Sequence, residues 1–504
     1  MSQAVTVERH RPDWLILALL CVAQFMVVLD VSIVNVALPS IRHELGFSQT
    51  GLQWIVNAYT VSFAGFLLLG GRAADLFGRR RIFVLGLGLF TAASLAGGLA
   101  QDQTTLLAAR VAQGLGGAVL SPATLTILTT TFREGPARSR ALGAWSAVAG
   151  AGGATGALLG GILTDAVSWR WIFFVNVPIG VLAMAAAMAV LAESRNESMS
   201  RHLDVTGSVL VTGGLMALVY GIVNTVTHPW GSVTTVATLG AAVVLLVWFV
   251  VHEARFARAP LMPLHLFRSR SVSAANLVMF LVGAAIFASW FFLSIYMQNI
   301  LGYSPLKTGI AFLPQTIGII LGAQISSRLI VRFGPRPLLL IGPLLSALGL
   351  FLLGGLTAHA SYWSDLFVPS VLVTFGMGLT FTPVAFAATS GVPPHEAGLA
   401  SGVLNTNRQV GGAIGLAALA TVATDRTHAL LATVPGHPAG AAVAAALTSG
   451  YTRAFHVSVI AAALAVAAAV FVPAVRRPAP EAPDERQAPV PPVTAPAVAL
   501  PGSD

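Results

Sequence analysis

The sequence predicts an all-α integral membrane fold of fourteen transmembrane helices arranged 6+2+6, and three observations carry that prediction. The first is composition. Of 504 residues, 56% are hydrophobic and 9% charged, with mean hydropathy +0.80, too little polar surface to cover a water-soluble body of this size. The second is a series of apolar runs, each near the roughly 20 residues that a bilayer span needs. The third is an internal repeat. Leu45-Gly46-Phe47-Ser48 recurs as Leu301-Gly302-Tyr303-Ser304, and Arg72, Phe77, Gly78 and Arg80 recur as Arg328, Phe333, Gly334 and Arg336, every pair 256 residues apart. Gly143, Gly152-Gly153-Ala154 and Gly156 are echoed 259 residues on by Gly402, Gly411-Gly412-Ala413 and Gly415. Parallel repeats of this kind build membrane transporters whose halves rock about a site near the midplane.

The expected spans are 14–38, 51–71, 82–101, 104–131, 140–164, 171–192, 205–224, 232–251, 273–297, 307–329, 337–357, 365–390, 398–423 and 454–474. The first is too long for a signal peptide and carries Asp30 and Asn35 where a signal's apolar region would lie, so it is expected to be retained. An even count leaves both termini on one side, and the basic residues test the map. With the N-terminus cytoplasmic, the inside holds the clusters around Arg72, Arg79 to Arg81, Arg133 to Arg140, Arg255 to Arg270 and Arg328 to Arg336. The outside holds only Arg42, Arg170, Lys307, Arg426 and Arg453. One missed span would invert every later loop and destroy this asymmetry.

The repeat then divides the chain into a cytoplasmic N-terminus (1–13), an N-terminal six-helix bundle (14–192), an inserted two-helix hairpin (205–251) and a C-terminal six-helix bundle (273–474). A Pro/Ala-rich cytoplasmic tail (475–504) is expected to be disordered. The longest outside segment, 424–453, is Ala/Gly-rich and expected to be weakly structured. The formal charge of +9 lies in short clusters between apolar runs, which serves orientation in a bilayer and argues against nucleic-acid binding. Cys21 is the single cysteine, so no intramolecular disulfide forms and redox chemistry is not expected.

Asp30 is the first candidate functional residue, because a carboxylate inside a span costs about 2.5–3.5 kcal/mol and implies a partner. At 1.5 Å per residue it lies roughly 24 Å from the inner end of span 1, and Arg110, roughly 9 Å below the outer end of span 4, has a similar depth. The two are expected to pair, directly or through water. Arg110, Gln113, Gly114 and Gly117 form one helical stripe, and Asn405, Arg408, Gln409 and Gly412 form another on span 13. Both stripes are expected to face an aqueous cleft. Span 5 presents Gly152, Gly156 and Gly160 at successive i+4 steps with Gly161 beside them, a face expected to allow close backbone approach at the seam between bundles. Gly71, Arg72, Asp75, Gly78, Arg79 and Arg80 form a short turn between spans 2 and 3, where Asp75 can bind neighbouring arginines or helix ends and hold the cytoplasmic side shut.

At this point the sequence resembles the major facilitator superfamily, specifically its fourteen-helix drug:proton antiporters of EmrB/QacA type, over about residues 14 to 474. Leu29-Asp30 through Ile33-Val34-Asn35-Val36-Ala37-Leu38-Pro39 is similar to that branch's helix 1 signature, and Gly71 to Arg81 is similar to the superfamily's loop motif. Arg110-Val111-Ala112-Gln113-Gly114 resembles the helix 4 motif associated with proton coupling, and Trp169-Arg170-Trp171 through Asn176, Pro178 and Gly180 resembles the branch's entry to helix 6. The Gly152 to Gly161 segment resembles the helix 5 antiporter motif, except that Ala157 stands where the family usually has proline. The resemblance implies the major facilitator fold, proton coupling through Asp30, Arg110 and Gln113, and a substrate cleft lined by Asn35, Asn405, Arg408 and Gln409.

It further implies a proton-coupled efflux antiporter in the bacterial inner membrane, exporting amphiphilic drugs, antibiotics or secondary metabolites by alternating access. No cofactor or metal is expected; the proton gradient supplies the energy. Expected partners are a hydrophobic small molecule, protons and membrane lipids, with the chain a monomer. Because no acid lies deep in spans 9 to 14, neutral, weakly basic or zwitterionic substrates are favoured over multivalent cations. A proton-coupled importer or lipid flippase of the same fold stays open, since fold does not fix direction. A multi-pass membrane enzyme is the remote alternative; no His-Glu-x-x-His, no paired acidic cluster and no Gly-x-Ser-x-Gly elbow is expected at a membrane face.

Overall fold

Long helices follow one another with short connections. The computed structural model describes residues 13–48, 50–132, 136–194, 203–393, 396–434 and 440–473; the tail expected to be disordered lies outside the described residues. The helices are α1 (Asp13–Leu45), α2 (Trp54–Phe77), α3 (Arg79–Leu99), α4 (Gln103–Thr131), α5 (Pro136–Ala166), α6 (Trp171–Phe174), α7 (Asn176–Val190), α8 (Val205–Asn224), α9 (Val233–Arg255), α10 (Arg270–Asn299), α11 (Pro305–Phe333), α12 (Pro335–Leu353), α13 (Phe367–Thr389), α14 (Ala397–Leu431) and α15 (Ala441–Ala469). Among the described residues twelve helices are long and apolar enough to cross a membrane, Trp171–Val190 counting as one. The two long helices outside that set, α5 and α14, are rich in glycine, alanine and polar residues. Both pack centrally, α5 against α1 and α11, α14 against α10, α15 and α2.

Local chemistry starts and stops these helices. Asp102, Asp204, Ser232 and Ser304 each accept a hydrogen bond from the backbone N–H three residues on, capping α4, α8, α9 and α11. The internal repeat is also a repeat of conformation. Gly46 and Gly302 follow α1 and α10 with φ of 69° and 65°, and Gly78 and Gly334 join α2 to α3 and α11 to α12 with φ of 108° and 74°, left-handed values that favour glycine. Repeated glycines therefore mark repeated turns.

One segment departs from expectation. Residues 424–453, expected to be weakly structured, are mostly helical: α14 continues to Leu431 and α15 begins at Ala441, ahead of the expected start at 454. Alanine is the strongest helix former, and this stretch has tertiary support. Tyr451 and Phe455 pack on Phe292, and the Thr427 hydroxyl donates to the carbonyls of Ala423 and Ala446. Asp425, beyond the end expected for this span at 423, lies inside α14.

The packing divides along the helix axes. At the level where α1 ends, one apolar core draws on α1, α2 and α5 together with α10, α11, α14 and α15, joining Leu29, Ile33 and Val56 to Phe291, Phe292 and Leu416. Toward the face where α1 begins there are two separate cores. One holds Met26, Phe63, Phe83 and Leu128, the other Val278, Leu339, Val384 and Ala468. The apolar cores of the two halves thus merge at one face and are distinct toward the other, where α14 still meets α2 through Gly402 and Leu68; that face carries Arg72, Arg79 to Arg81, Arg255 and Arg328 to Arg336. Hairpin α8–α9 packs through α8 on α2 and α14, where Val219 meets Val61, Ala413 and Ala417.

Candidate functional site: a buried ion pair within the first six spans

Asp30 on α1 is fully buried, and so is Arg110 on α4, at 0% and 1% exposure. The Arg110 Nη1 donates to Asp30 Oδ2 at 2.5 Å and to Gln113 Oε1 at 2.9 Å, while Nε donates to the Ile55 carbonyl on α2 at 2.9 Å. Gln113 Nε2 donates to Asp30 Oδ1 at 2.9 Å and to the Ser94 hydroxyl on α3 at 2.8 Å, and Asn176 Nδ2 on α7 reaches Oδ1 at 3.4 Å. The guanidinium lies over the Tyr59 ring, 4.4 Å from its centroid, and 5.9 Å from that of Phe173. Five helices therefore converge on one carboxylate. The carboxylate accepts three donors and faces a cation, which is what a buried charge requires to persist.

The expected pairing of Asp30 with Arg110 is direct, but the α4 stripe does not line a cleft. Gln113 has no exposure; a methyl group on Gly114 would lie 2.5 Å from the Tyr59 carbonyl oxygen, and one on Gly117 would lie 3.0 Å from the Tyr59 hydroxyl. The glycines let α2 approach until the polar stripe is enclosed. Small residues beside polar ones fit a packed interface as well as a wet wall.

The α5 glycines need a similar correction. Gly152, Gly156 and Gly160 face α1 within the same half: added methyl groups would fall 3.0 Å from Val28, 1.8 Å from the Ser32 hydroxyl and 2.7 Å from the Ile33 carbonyl oxygen. Only Gly161, turned about 100° from Gly160, meets the other half, at Pro305 and Leu306 of α11. Gly309 of α11 meets the Ala157 carbonyl beside it. The equivalent pair on α14, Gly411 and Gly415, seats on Phe280 and Ala284 of α10, so the repeat extends to the α1–α5 and α10–α14 contacts.

The residues expected along the cleft separate into two groups. Arg408 Nη2 donates to Asn405 Oδ1 at 2.8 Å, both partly exposed, and its guanidinium lies near the Phe381 ring. Among the described residues Arg408 has no carboxylate partner. Gln409 is buried, its Oε1 unpartnered, and Gly412 packs on the Phe287 ring. Asn35 is elsewhere, in the seam where the cores merge: its side chain donates to Val31 within α1, and its carbonyl accepts from Ser294 of α10 at 2.7 Å.

The segment expected as a turn is helical except at Gly78, since α2 runs to Phe77 and α3 starts at Arg79, and this junction is tied to neighbours in its own half. Arg79 donates to Asp75 Oδ1 through Nε and Nη2 at 3.1 and 2.9 Å, Arg80 donates to the Met188 carbonyl at the end of α7, and Arg81 pairs with Glu193. Glu193 also accepts from the Arg80 backbone N–H, placing its negative charge at the start of α3. Gly71 meets Pro122 of α4. Asp75 thus binds an arginine as expected, without bridging to the second half.

The sequence reading missed Ser94, Tyr59 and Glu193, and named Asn176 only within the motif at the entry to helix 6, without a place in the Asp30 site. For Asn176 the available signal was a polar residue opening an otherwise apolar helix at the α6–α7 break.

The major facilitator superfamily model matches residues 20–416. The chain is 46% identical to the cephamycin export protein of Amycolatopsis lactamdurans over 84% of its own length and 87% of that protein's, and 42% identical to the puromycin resistance protein of Streptomyces alboniger over 87% of each. Among solved structures, a peptide transporter in complex with sulfate superposes with TM-score 0.65 at 15% identity, covering 90% of this chain and 94% of that one. A bacterial homologue of the lysosomal transporter Spinster gives 0.63 at 16%, covering 91% and 97%. Repeat, helical architecture, family match and curated relatives agree, and the chain belongs to the major facilitator superfamily.

Proposed function

We propose that this protein is a proton-coupled antiporter of the fourteen-helix EmrB/QacA type that exports antibiotics or related amphiphilic metabolites across the bacterial inner membrane by alternating access. Relatives named for cephamycin export, puromycin resistance, and tetracenomycin C resistance and export support the substrate class. The reading takes α1–α7 (14–192) and α10–α15 (273–474) as two six-span bundles, with α8–α9 (205–251) inserted, the arginine-rich face cytoplasmic and both termini there. The chain acts as a monomer among lipids.

The observation that carries it is the enclosed Asp30–Arg110–Gln113 network. Protonating Asp30 leaves Arg110 a buried cation with its counter-charge gone, and breaking a buried pair costs about 3–5 kcal/mol. That cost is relieved if the helices around it rearrange, so proton binding biases one state over the other. One proton moving inward releases about 2.3 kcal/mol per 100 mV, enough for about a forty-fold substrate gradient at 1.4 kcal/mol per decade. Arg408, a cation without a carboxylate partner, repels multivalent cations and suits neutral or zwitterionic substrates. Import or lipid flipping by the same fold predicts the opposite direction or no drug movement, and no observation favours a membrane enzyme.

Inside-out vesicles decide. The proposal expects drug uptake into them that requires an inside-acid gradient, collapses with a protonophore and is lost in Asp30→Asn. Gradient-independent uptake, or wild-type rates in Asp30→Asn, refutes the coupling.

A further inference from the structure

The hairpin α8–α9 begins and ends on the arginine-rich face, and its two ends bring together two acids that the Asp30 network does not use. Asp204 caps α8, and Glu253 lies in the last turn of α9; they are 8% and 6% exposed. Asp204 Oδ1 accepts from the Gly207 N–H and interacts with His252 Nε2, both at 2.8 Å. Glu253 Oε2 accepts from the Met262 N–H at 3.0 Å. The remaining oxygens, Asp204 Oδ2 and Glu253 Oε1, are buried and have no hydrogen-bond partner among the described residues. Both converge on the space left by the missing side chain of Gly207: a methyl group there would lie 2.5 Å from Oδ2 and 2.8 Å from Oε1. The two oxygens are therefore no farther apart than those distances combined.

Two anionic oxygens within that limit, shielded from water and with no donor between them, repel strongly; a single proton lets them close into a carboxyl–carboxylate hydrogen bond. We propose that Asp204 and Glu253 form a second proton-binding site, holding one shared proton at the base of the hairpin. The charged groups facing the pair are His252 from α9 and Arg72 from the last turns of α2, on which the charges of both Asp204 and Asp75 act; the segment after α9 contributes backbone N–H groups. Loss of the shared proton leaves a second negative charge beside Arg72 and draws that guanidinium from Asp75, at the end of α2 just before the Gly78 junction with α3, toward the hairpin. The inserted hairpin becomes the element through which proton concentration on this face acts on the α2–α3 turn.

The test is a potentiometric difference titration of the purified full-length protein against Glu253→Gln and, separately, Asp204→Asn. Gln at 253 supplies a permanent N–H donor to Asp204 Oδ2 and has no proton to lose. The expected wild-type-minus-variant curve is one proton per molecule, released well above the ordinary glutamate value of about 4.3, in both comparisons. If each variant merely removes a carboxylate that titrates at its ordinary value, the shared proton does not exist. A second arm, resting on the export reading, measures drug uptake by inside-out vesicles against external pH. Uptake that changes across the release range in wild type and is flat there in Glu253→Gln supports a role in transport; parallel profiles overturn that role. Because the titration needs no transport, failure of the export reading leaves it decisive.

Discussion

Replacing Gly156 with alanine adds one methyl group at the tightest point of the α1–α5 contact, and its cost can be worked from the packing. The new Cβ would fall 1.8 Å from the Ser32 hydroxyl oxygen, 2.9 Å from the Leu29 carbonyl oxygen and 3.0 Å from Ser32 Cβ. The hydroxyl donates toward the carbonyls of Leu29 and Gly152 at 3.0 and 3.1 Å, so it can rotate away only by giving up the interhelical bond, about 0.5–1.5 kcal/mol. Rotation leaves the Leu29 carbonyl in place, and backbone moves only if α1 moves. Overpacking of that kind costs about 1–3 kcal/mol, giving about 1.5–4.5 kcal/mol in all. Gly153, one residue on, has nothing within 4 Å of its added methyl and is the control. Thermal unfolding of the purified protein in detergent should show Gly156→Ala well below Gly153→Ala in midpoint, with Ser32→Ala restoring part of the loss. Equal midpoints for the two alanine variants would refute the argument. The same geometry locates this glycine inside one half, so its first effect is on stability and only then on turnover.

Four further outcomes are expected. Asp30→Asn keeps the volume of the side chain but removes its titration, so proton-driven drug movement in vesicles should vanish while the protein inserts and folds; Asn176→Ala, which removes the weaker 3.4 Å donor, should shift the pH profile of transport without abolishing it. Gly309→Val places a branched side chain where even a methyl group would lie 2.4 Å from the Ala157 carbonyl oxygen of the opposite half. It should therefore slow transport at least several-fold while drug binding, measured on purified protein, changes little; equal loss of both would return the contact to a folding role. The Thr105 side-chain hydroxyl, with the backbone N–H groups of Thr105 and Thr104, holds the Asp102 carboxyl below its ordinary value. Its contribution is present above the unfolded value, about pH 3.9, and is lost as pH falls through the folded one, so the stability gap between wild type and Asp102→Asn should close in acid and stay constant above pH 5.

The depth of Asp30 and of Arg110 was legible because helical rise converts residue number directly into height, and two charges at one height in a membrane have strong reason to meet. The face on which Arg110 and Gln113 sit was not legible. A stripe of polar and small residues satisfies both a water-filled wall and a close helix contact, and only Tyr59, its backbone seated over Gly114 and its hydroxyl over Gly117, separates the two. The beginning of α15 was hidden for a different reason: residues 441–453 are too weakly hydrophobic to register as a span, while their alanine content favours a helix. Asp204 and Glu253 were visible as charges flanking an apolar hairpin. That they meet follows from antiparallel geometry, since the two ends of a hairpin share a face.

The two halves share scaffold but not chemistry, and that division explains how the proposed cycle is assembled. The paired turns at Gly46 and Gly302 and at Gly78 and Gly334, with the glycine contacts of α5 on α1 and of α14 on α10, give each half the same rigid pairings. Two rigid halves can then rock as bodies. α10 occupies the place of α1, yet beyond Arg270 it carries no charge, so nothing in it repeats Asp30. The second half instead offers Arg408, fixed by Asn405 and, among the described residues, paired with no carboxylate. A symmetric pair of acids would make two equal proton sites with no preferred path. Confining the buried carboxylate to α1, where five helices of one half close around it, makes its protonation a change in the internal packing of that half alone. The contact between α5 and α11 at Gly161, Ala157 and Gly309 is where such a change can be passed to the other half. On this reading the repeat supplies the motion and its broken symmetry supplies the coupling.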